Sequence, residues 1–179
     1  PGTVVILALS TFIVKLASKI GKKELSMIGC FISAASFILL FIIHTHNVLV
    51  WVGLIIVATI GTSMFNMVIW AMITDVIDES EVQTGVRQDG TIYSVYSFAR
   101  KLGQACSSGL SGVLLSIIGY TSVTAFDPKV VDGIYNITCL VPAGGMILLL
   151  LALWFLYPLN KKRVEENAEK LRIKRNENA

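Results

Sequence analysis

Five long apolar blocks, each separated from the next by a short polar segment, limit what this chain can become more than any other feature. They fall at about residues 3–17, 26–43, 48–73, 92–118 and 134–157. A helix crossing the ~30 Å of hydrocarbon in a bilayer needs about 20 predominantly apolar residues, and the first block is at the short limit. A water-soluble bundle would instead carry a polar stripe on every helix. With 54% hydrophobic and 15% charged residues in 179, the chain also holds more apolar surface than a soluble core of this length hides. It reads as an all-α, polytopic membrane protein of about five spans, with the lipid bilayer as its solvent.

The basic residues alternate with the spans. Lys15, Lys19, Lys22 and Lys23 close the first; Arg87, Arg100 and Lys101 surround the start of the fourth; Lys161, Lys162 and Arg163 follow the fifth. The intervening segments, His44 to Asn47 and Tyr120 to Gly133, hold one basic residue, Lys129. Cytoplasmic loops carry the excess of Lys and Arg, so the amino terminus is expected outside and the carboxyl terminus in the cytoplasm, across a plasma membrane of the bacterial inner-membrane type. The formal charge of +3 follows from this arrangement and forms no single patch, so no nucleic-acid partner is expected. Residues 1–158 are then a transmembrane bundle and 159–179 a cytoplasmic tail. Pro1 opens directly into apolar sequence without a basic flank, so no signal peptide is read and the chain is expected to be a fragment.

Several chemistries find no support. Cys30, Cys106 and Cys139 sit singly inside apolar blocks, a pattern of packing thiols with neither disulfide nor zinc spacing. His44 and His46 share a loop with no carboxylate or cysteine beside them in sequence, so no metal site is expected. No phosphate-binding, nucleophile-elbow or zinc-protease motif occurs, so no enzyme and no cofactor are expected. Thr74 to Gly85 opens with a capping residue and acids and stops at glycine, the pattern of a short cytoplasmic helix. The tail from Asn160 mixes acids and bases and reads as a solvated segment.

The fourth block carries the polar chemistry. At 100° per residue, Tyr93, Tyr96, Ser97, Arg100, Lys101, Gln104, Ser107, Ser108 and Ser111 share one face, so this helix lines a wet cavity or a polar bundle interior. An intramembrane cation costs at least ~2.5 kcal/mol. Arg100 either meets a polar partner or snorkels to the cytoplasmic surface, and Lys101, which lies deeper, is the stronger candidate for function. Gly103, Ser107 and Ser111 recur at a spacing that admits a close helix neighbour. On the third block Thr59, Ser63, Asn66 and Trp70 follow helical spacing. The amide and indole suit a hydroxylated ligand, although Asn66 could bond another helix and Trp70 could be an interfacial anchor.

The segment from Asp75 to Gly90, continued by Ile92 to Ala105, resembles the loop between helices ten and eleven, and helix eleven itself, of the glycoside-pentoside-hexuronide cation symporters of the major facilitator superfamily. Lys19-Ile20-Gly21-Lys22-Lys23 is similar to the family's loop between helices eight and nine. The resemblance implies that the five spans are helices eight to twelve of a twelve-helix transporter. Lys101 then stands at the family's helix-eleven lysine near the sugar and cation pocket. Asp78-Glu79-Ser80-Glu81 replaces the family's commoner Asp-Tyr-Gly-Glu, so the substrate is not inherited from better-known members.

By that resemblance the coupling cation, Na+, Li+ or H+, binds mainly on the missing amino-terminal helices, which are also this chain's expected partner. Asn66, Lys101 and Gln104 are expected to present hydrogen bonds to a sugar or glycoside, with Tyr93, Ser97, Arg100 and Trp70 around them. Asp75, Asp78, Glu81 and Arg87 are expected to form ion pairs that close the cytoplasmic side. Alone, the fragment is expected to be inactive. The competing expectations are a major-facilitator exporter of drugs or metabolites and a non-transporting anchor or assembly subunit.

Overall fold

The computed structural model describes residues 12–45 and 47–177, and these are helical apart from short turns. Residues 12–20 (α1) end at Gly21, whose φ of 120° favours glycine. Then come α2 (Lys22–Ile43), α3 (Val48–Thr84), α4 (Asp89–Ile117), α5 (Pro128–Phe155) and α6 (Lys161–Glu177). Among the described residues there is no strand. Most of the first expected span, and His46, lie outside the described residues.

Three of these helices, α2, α3 and α5, are long and apolar enough to cross a bilayer, with mean hydropathies of 2.4, 2.2 and 2.2. α4, at 29 residues, is about 43 Å long and spans by length, but its polar face dilutes its apolar character. α2, α4 and α5 start earlier than their apolar blocks because hydropathy marks only the turns immersed in hydrocarbon. Lys22 and Glu24 open α2, and Pro128 opens α5, where its missing N–H costs nothing.

The expected short cytoplasmic helix is not a separate element. α3 runs for 37 residues without a break, about 56 Å, so the acidic segment projects beyond the membrane as an extension of the span. Thr74 fails to start a new helix because nothing stops the old one. Its hydroxyl donates back to the Trp70 carbonyl at 3.3 Å, as an interior threonine does. The stop at Gly85 is as expected: φ is 76° and its N–H donates to the Glu81 carbonyl at 2.9 Å.

α2 lies between α3 and α5 and packs against both. Ile13, Leu25, Cys30, Met64, Val68, Met72 and Leu153 form the shared core. The α2–α3 crossing is set by two glycines. A Cβ on Gly29 would lie 2.5 Å from the Gly61 carbonyl oxygen, and one on Gly61 would lie 2.5 Å from that of Gly29. Beside them the Ser33 and Thr62 hydroxyls are hydrogen-bonded at 3.0 Å, a small-residue contact of the kind that joins helices where lipid competes for apolar surface. At the other end of α2, Tyr135 of α5 donates to the Leu40 carbonyl at 2.8 Å.

α4 touches α3 alone among the major helix pairs and buries no residue. Its small residues Gly103, Gly109 and Gly112 have nothing within 4 Å of a built Cβ among the described residues. Cys106 is likewise exposed, while Cys30 and Cys139 are buried.

Gly61→Leu is expected to lower stability by about 1–3 kcal/mol or more through overpacking, read as a lower unfolding midpoint of the intact detergent-solubilised protein. Gly53→Leu, where a Cβ meets nothing within 4 Å, serves as the control and should leave the midpoint unchanged. Equal midpoints for the two variants would contradict the close crossing.

Candidate functional site and charge cluster

Trp70 of α3 is the centre of the polar contact with α4. Its ring meets Tyr96 edge-on at 5.3 Å and Tyr93 at 6.3 Å, and the Arg100 guanidinium lies 5.9 Å from its centroid. Trp70, Tyr96 and Arg100 border a cavity of about 470 Å³ that is also lined by Phe65, Asn66, Ile69 and Ala99, within the size range of small-molecule sites. Asn66 donates to the Thr62 carbonyl of its own helix at 3.2 Å. Its amide bonds no other helix among the described residues. Thr59 and Ser63 also bond back to their own helix.

Four of the predicted residues, Asn66, Trp70, Tyr93 and Arg100, are thus brought together. Ser97, Lys101 and Gln104 are exposed on α4 and do not line this cavity. Lys101 lies 100° around the helix from Arg100, so only one of two consecutive cations can face Trp70. A cation–π contact contributes roughly 0.5–2 kcal/mol, less than the ~2.5 kcal/mol or more that places a cation in hydrocarbon. The indole alone does not compensate Arg100, which requires water or an anion as well.

The acidic turns of α3 and the residues that meet them make a second cluster. Arg87 donates to Asp78 and to Glu81, both at 2.9 Å, and pairs with Asp89 at 2.9 Å. Glu81 first, then Asp78 and Asp89, hold the Arg87 guanidinium charged beyond its ordinary range. Asp75 turns the other way. It is buried on α2, where Lys22 donates to it at 2.6 Å and to the Ala71 carbonyl at 3.4 Å. Asp78, Glu81 and Arg87 therefore form one group, and Asp75 belongs to a different helix contact.

The tail, expected to be solvated, is docked instead. Arg163 and Asn167, one turn apart on α6, both bond Glu79, and Asn167 is buried. The Glu79 carboxylate raises the basicity of Arg163. Arg175 reaches Glu81 at 3.6 Å, and Lys174 donates to the Gly85 carbonyl at 3.3 Å. Val164, Asn167, Leu171 and Lys174 at helical spacing were the available sequence signal for this docked face. At the opposite end of the bundle, folding supplies the carboxylate that His44 lacks in sequence: Asp132 lies 2.8 Å from its Nε2. Among the described residues no cluster of metal-ligating groups forms.

A family model described as MFS/sugar transport protein matches residues 1–161. The chain belongs to that family. It is 34% identical over 151 residues to a glucuronide carrier protein homolog of Escherichia coli, covering 84% of this chain and 33% of that protein. It is 38% identical over 152 residues to an uncharacterized symporter of Bacillus subtilis, covering 85% and 33%. A Salmonella typhimurium protein named for sulfoquinovose import is 33% identical over 156 residues, covering 85% and 33%. These names match the glycoside-pentoside-hexuronide branch of the major facilitator superfamily. The family is one of transporters and not of enzymes, and this member is a multi-pass membrane protein. The chain spans about a third of the length of the relatives it matches.

Glu79→Ala is expected to free α6 from the acidic end of α3. The buried Asn167 amide loses its acceptor, a cost of about 1–3 kcal/mol, so amides of residues 161–177 should exchange with deuterium about tenfold faster in the intact protein. Unchanged protection would show that the tail is held elsewhere.

Proposed function

We propose that this chain is the carboxyl-terminal part, approximately helices eight to twelve, of a secondary active transporter that carries a sugar or glycoside together with a cation. The observation that supports this most is the α3–α4 cavity, where an amide, an indole face, a phenol and a guanidinium meet in a segment otherwise apolar enough to cross a bilayer. Amide and guanidinium suit hydroxyl groups, and the indole face suits the apolar side of a sugar ring. The relatives named as symporters and as a glucuronide carrier agree with that chemistry.

Transport would proceed by alternating access, this bundle rocking against the transporter's other half around the cavity. Lys101, turned 100° around α4 from Arg100, would contribute from the side that turns toward that half, with Ser97 and Gln104 between the two cations. The coupling cation, Na+, Li+ or H+, would be held mainly there, because the apolar blocks at 26–43, 48–73, 92–118 and 134–157 contain no Asp or Glu. Asp78, Glu81 and Arg87 would close the cytoplasmic side, with Asp75 bracing α3 on α2 through Lys22. The basic ends of the helices support a cytoplasmic carboxyl terminus.

Proteoliposomes of the intact transporter should accumulate labelled glycoside only with a sodium, lithium or proton gradient. Lys101→Ala and Asn66→Leu should each lower uptake about tenfold or more, as expected when a hydrogen bond to a charged or amide group is removed. Arg87→Ala should raise downhill leak at the expense of accumulation. Uptake that ignores all three gradients would end the symport reading, and wild-type uptake in a variant would remove that residue from the mechanism.

A further inference from the structure

We propose that the groove between α2 and α5 holds an acyl chain of an anionic phospholipid whose phosphate is bound by Lys23. The groove encloses about 440 Å³ and its lining is apolar: Met27, Ile28 and Phe31 come from α2, and Leu150, Trp154 and Phe155 from α5. Phe31, Trp154 and Phe155 are each more than half exposed. A contiguous apolar surface left open in this way marks a contact with a membrane or with another protein.

The direction of the groove favours the membrane. Gly29 marks the side of α2 that meets α3. At 100° per residue, Ile28 stands 100° and Phe31 200° around the helix from it, so the groove opens on the side of α2 away from α3. The α3–α4 cavity and the polar side of α4 lie beyond α3. A groove turned away from them, lined without a charged group or a hydroxyl, is suited to hydrocarbon.

One end of the groove carries a cation. Lys23 lies one turn before Met27, and its Nζ donates to the carbonyl of Tyr157, two residues beyond Phe155, at 2.6 Å. An ammonium has three N–H donors, and among the described residues no carboxylate pairs with this one. The nearby charges are directed elsewhere: Lys22 pairs with Asp75 at 2.6 Å, Lys161 lies 3.8 Å from Glu165, and the Glu24 Oε2 is buried beside Gly21. Lys23 thus keeps donors for a phosphate where a chain lying in the groove reaches its headgroup. Trp154, about one turn before Tyr157, is the kind of amphipathic ring that sits in that layer. A choline headgroup would bring a second cation to a corner that already holds Lys19, Lys23 and Lys161, whose Nζ donates to the Lys19 carbonyl at 3.0 Å. A glycerol headgroup brings only hydroxyls, so the corner favours a lipid of net negative charge.

The test is photolabelling of the intact protein in phosphatidylcholine vesicles. Trace phosphatidylglycerol or trace phosphatidylcholine, each with the same diazirine on one acyl chain, serves as the probe, and labelled peptides are mapped. Relative to the rest of the protein, residues 27–31 and 150–155 should take about fivefold more label from the phosphatidylglycerol probe, the preference expected of one lysine at the membrane surface. Lys23→Gln should bring that ratio to about one, and Lys23→Arg should keep it. Equal labelling by the two probes in the wild type, which needs no variant to fold, means that bulk lipid fills the groove and overturns the proposal. Absence of label from both stretches means that another part of the protein covers the groove, and overturns it as well. A ratio unchanged in Lys23→Gln overturns the assignment to Lys23.

Discussion

A bilayer core has no water to satisfy a polar group, and the organisation of this chain follows from that constraint. Backbone polar groups are satisfied within helices, and polar side chains in the spans either bond their own helix or gather where helices meet. Ser26, Ser36, Thr59, Ser63 and Asn66 all donate to the carbonyl one turn back. α4 cannot solve the problem this way, because an arginine, a lysine and a glutamine exceed what local bonding can absorb. Its polar side has to meet water, solute or other polar groups.

The remaining structure positions α4 and ties one end of the bundle together. The glycine crossing of α2 and α3, with α5 packed on the far side of α2, gives α4 a stiff wall in α3. Beyond the membrane, α3 continues as one rod into the acidic turns, so a tilt of the span would carry the Arg87 cluster and docked α6 with it. Glu81 accepts from Arg87 and lies near Arg175, which joins the loop before α4 and the tail at one carboxylate. Cavity, Arg87 cluster and tail thus share one helix.

Much of the fold was legible in the sequence because hydropathy and charge report directly on the membrane. The apolar blocks located the helices, Gly85 marked the end of α3, and the Arg87 acids lay close enough in sequence to foresee. What could not be read depended on which neighbour each helix faces. The helical wheel put Arg100 and Lys101 on one polar face, but only the position of Trp70 separates them. Asp75 looked like a member of the gate group until Lys22 claimed it from another helix. The continuity of α3 was hidden by a threonine that resembles a cap but lacks any breaker before it. The tail's docking was masked by its mixed charge, because Asn167 and Glu79 are far apart in sequence and are buried only together.

The central claim is that the polar side of α4 faces an aqueous solute path. Single cysteines placed at Ser97, Phe98, Arg100, Lys101, Leu102 and Gln104, in the intact protein with Cys30, Cys106 and Cys139 replaced, can be reacted with a membrane-impermeant thiol reagent. Rapid modification at positions 97, 100, 101 and 104, slowed by bound substrate, with little at 98 and 102, is the predicted pattern. Modification at 98 and 102 with 101 and 104 protected would mean that α4 turns its charged side away from water, and the account would fail.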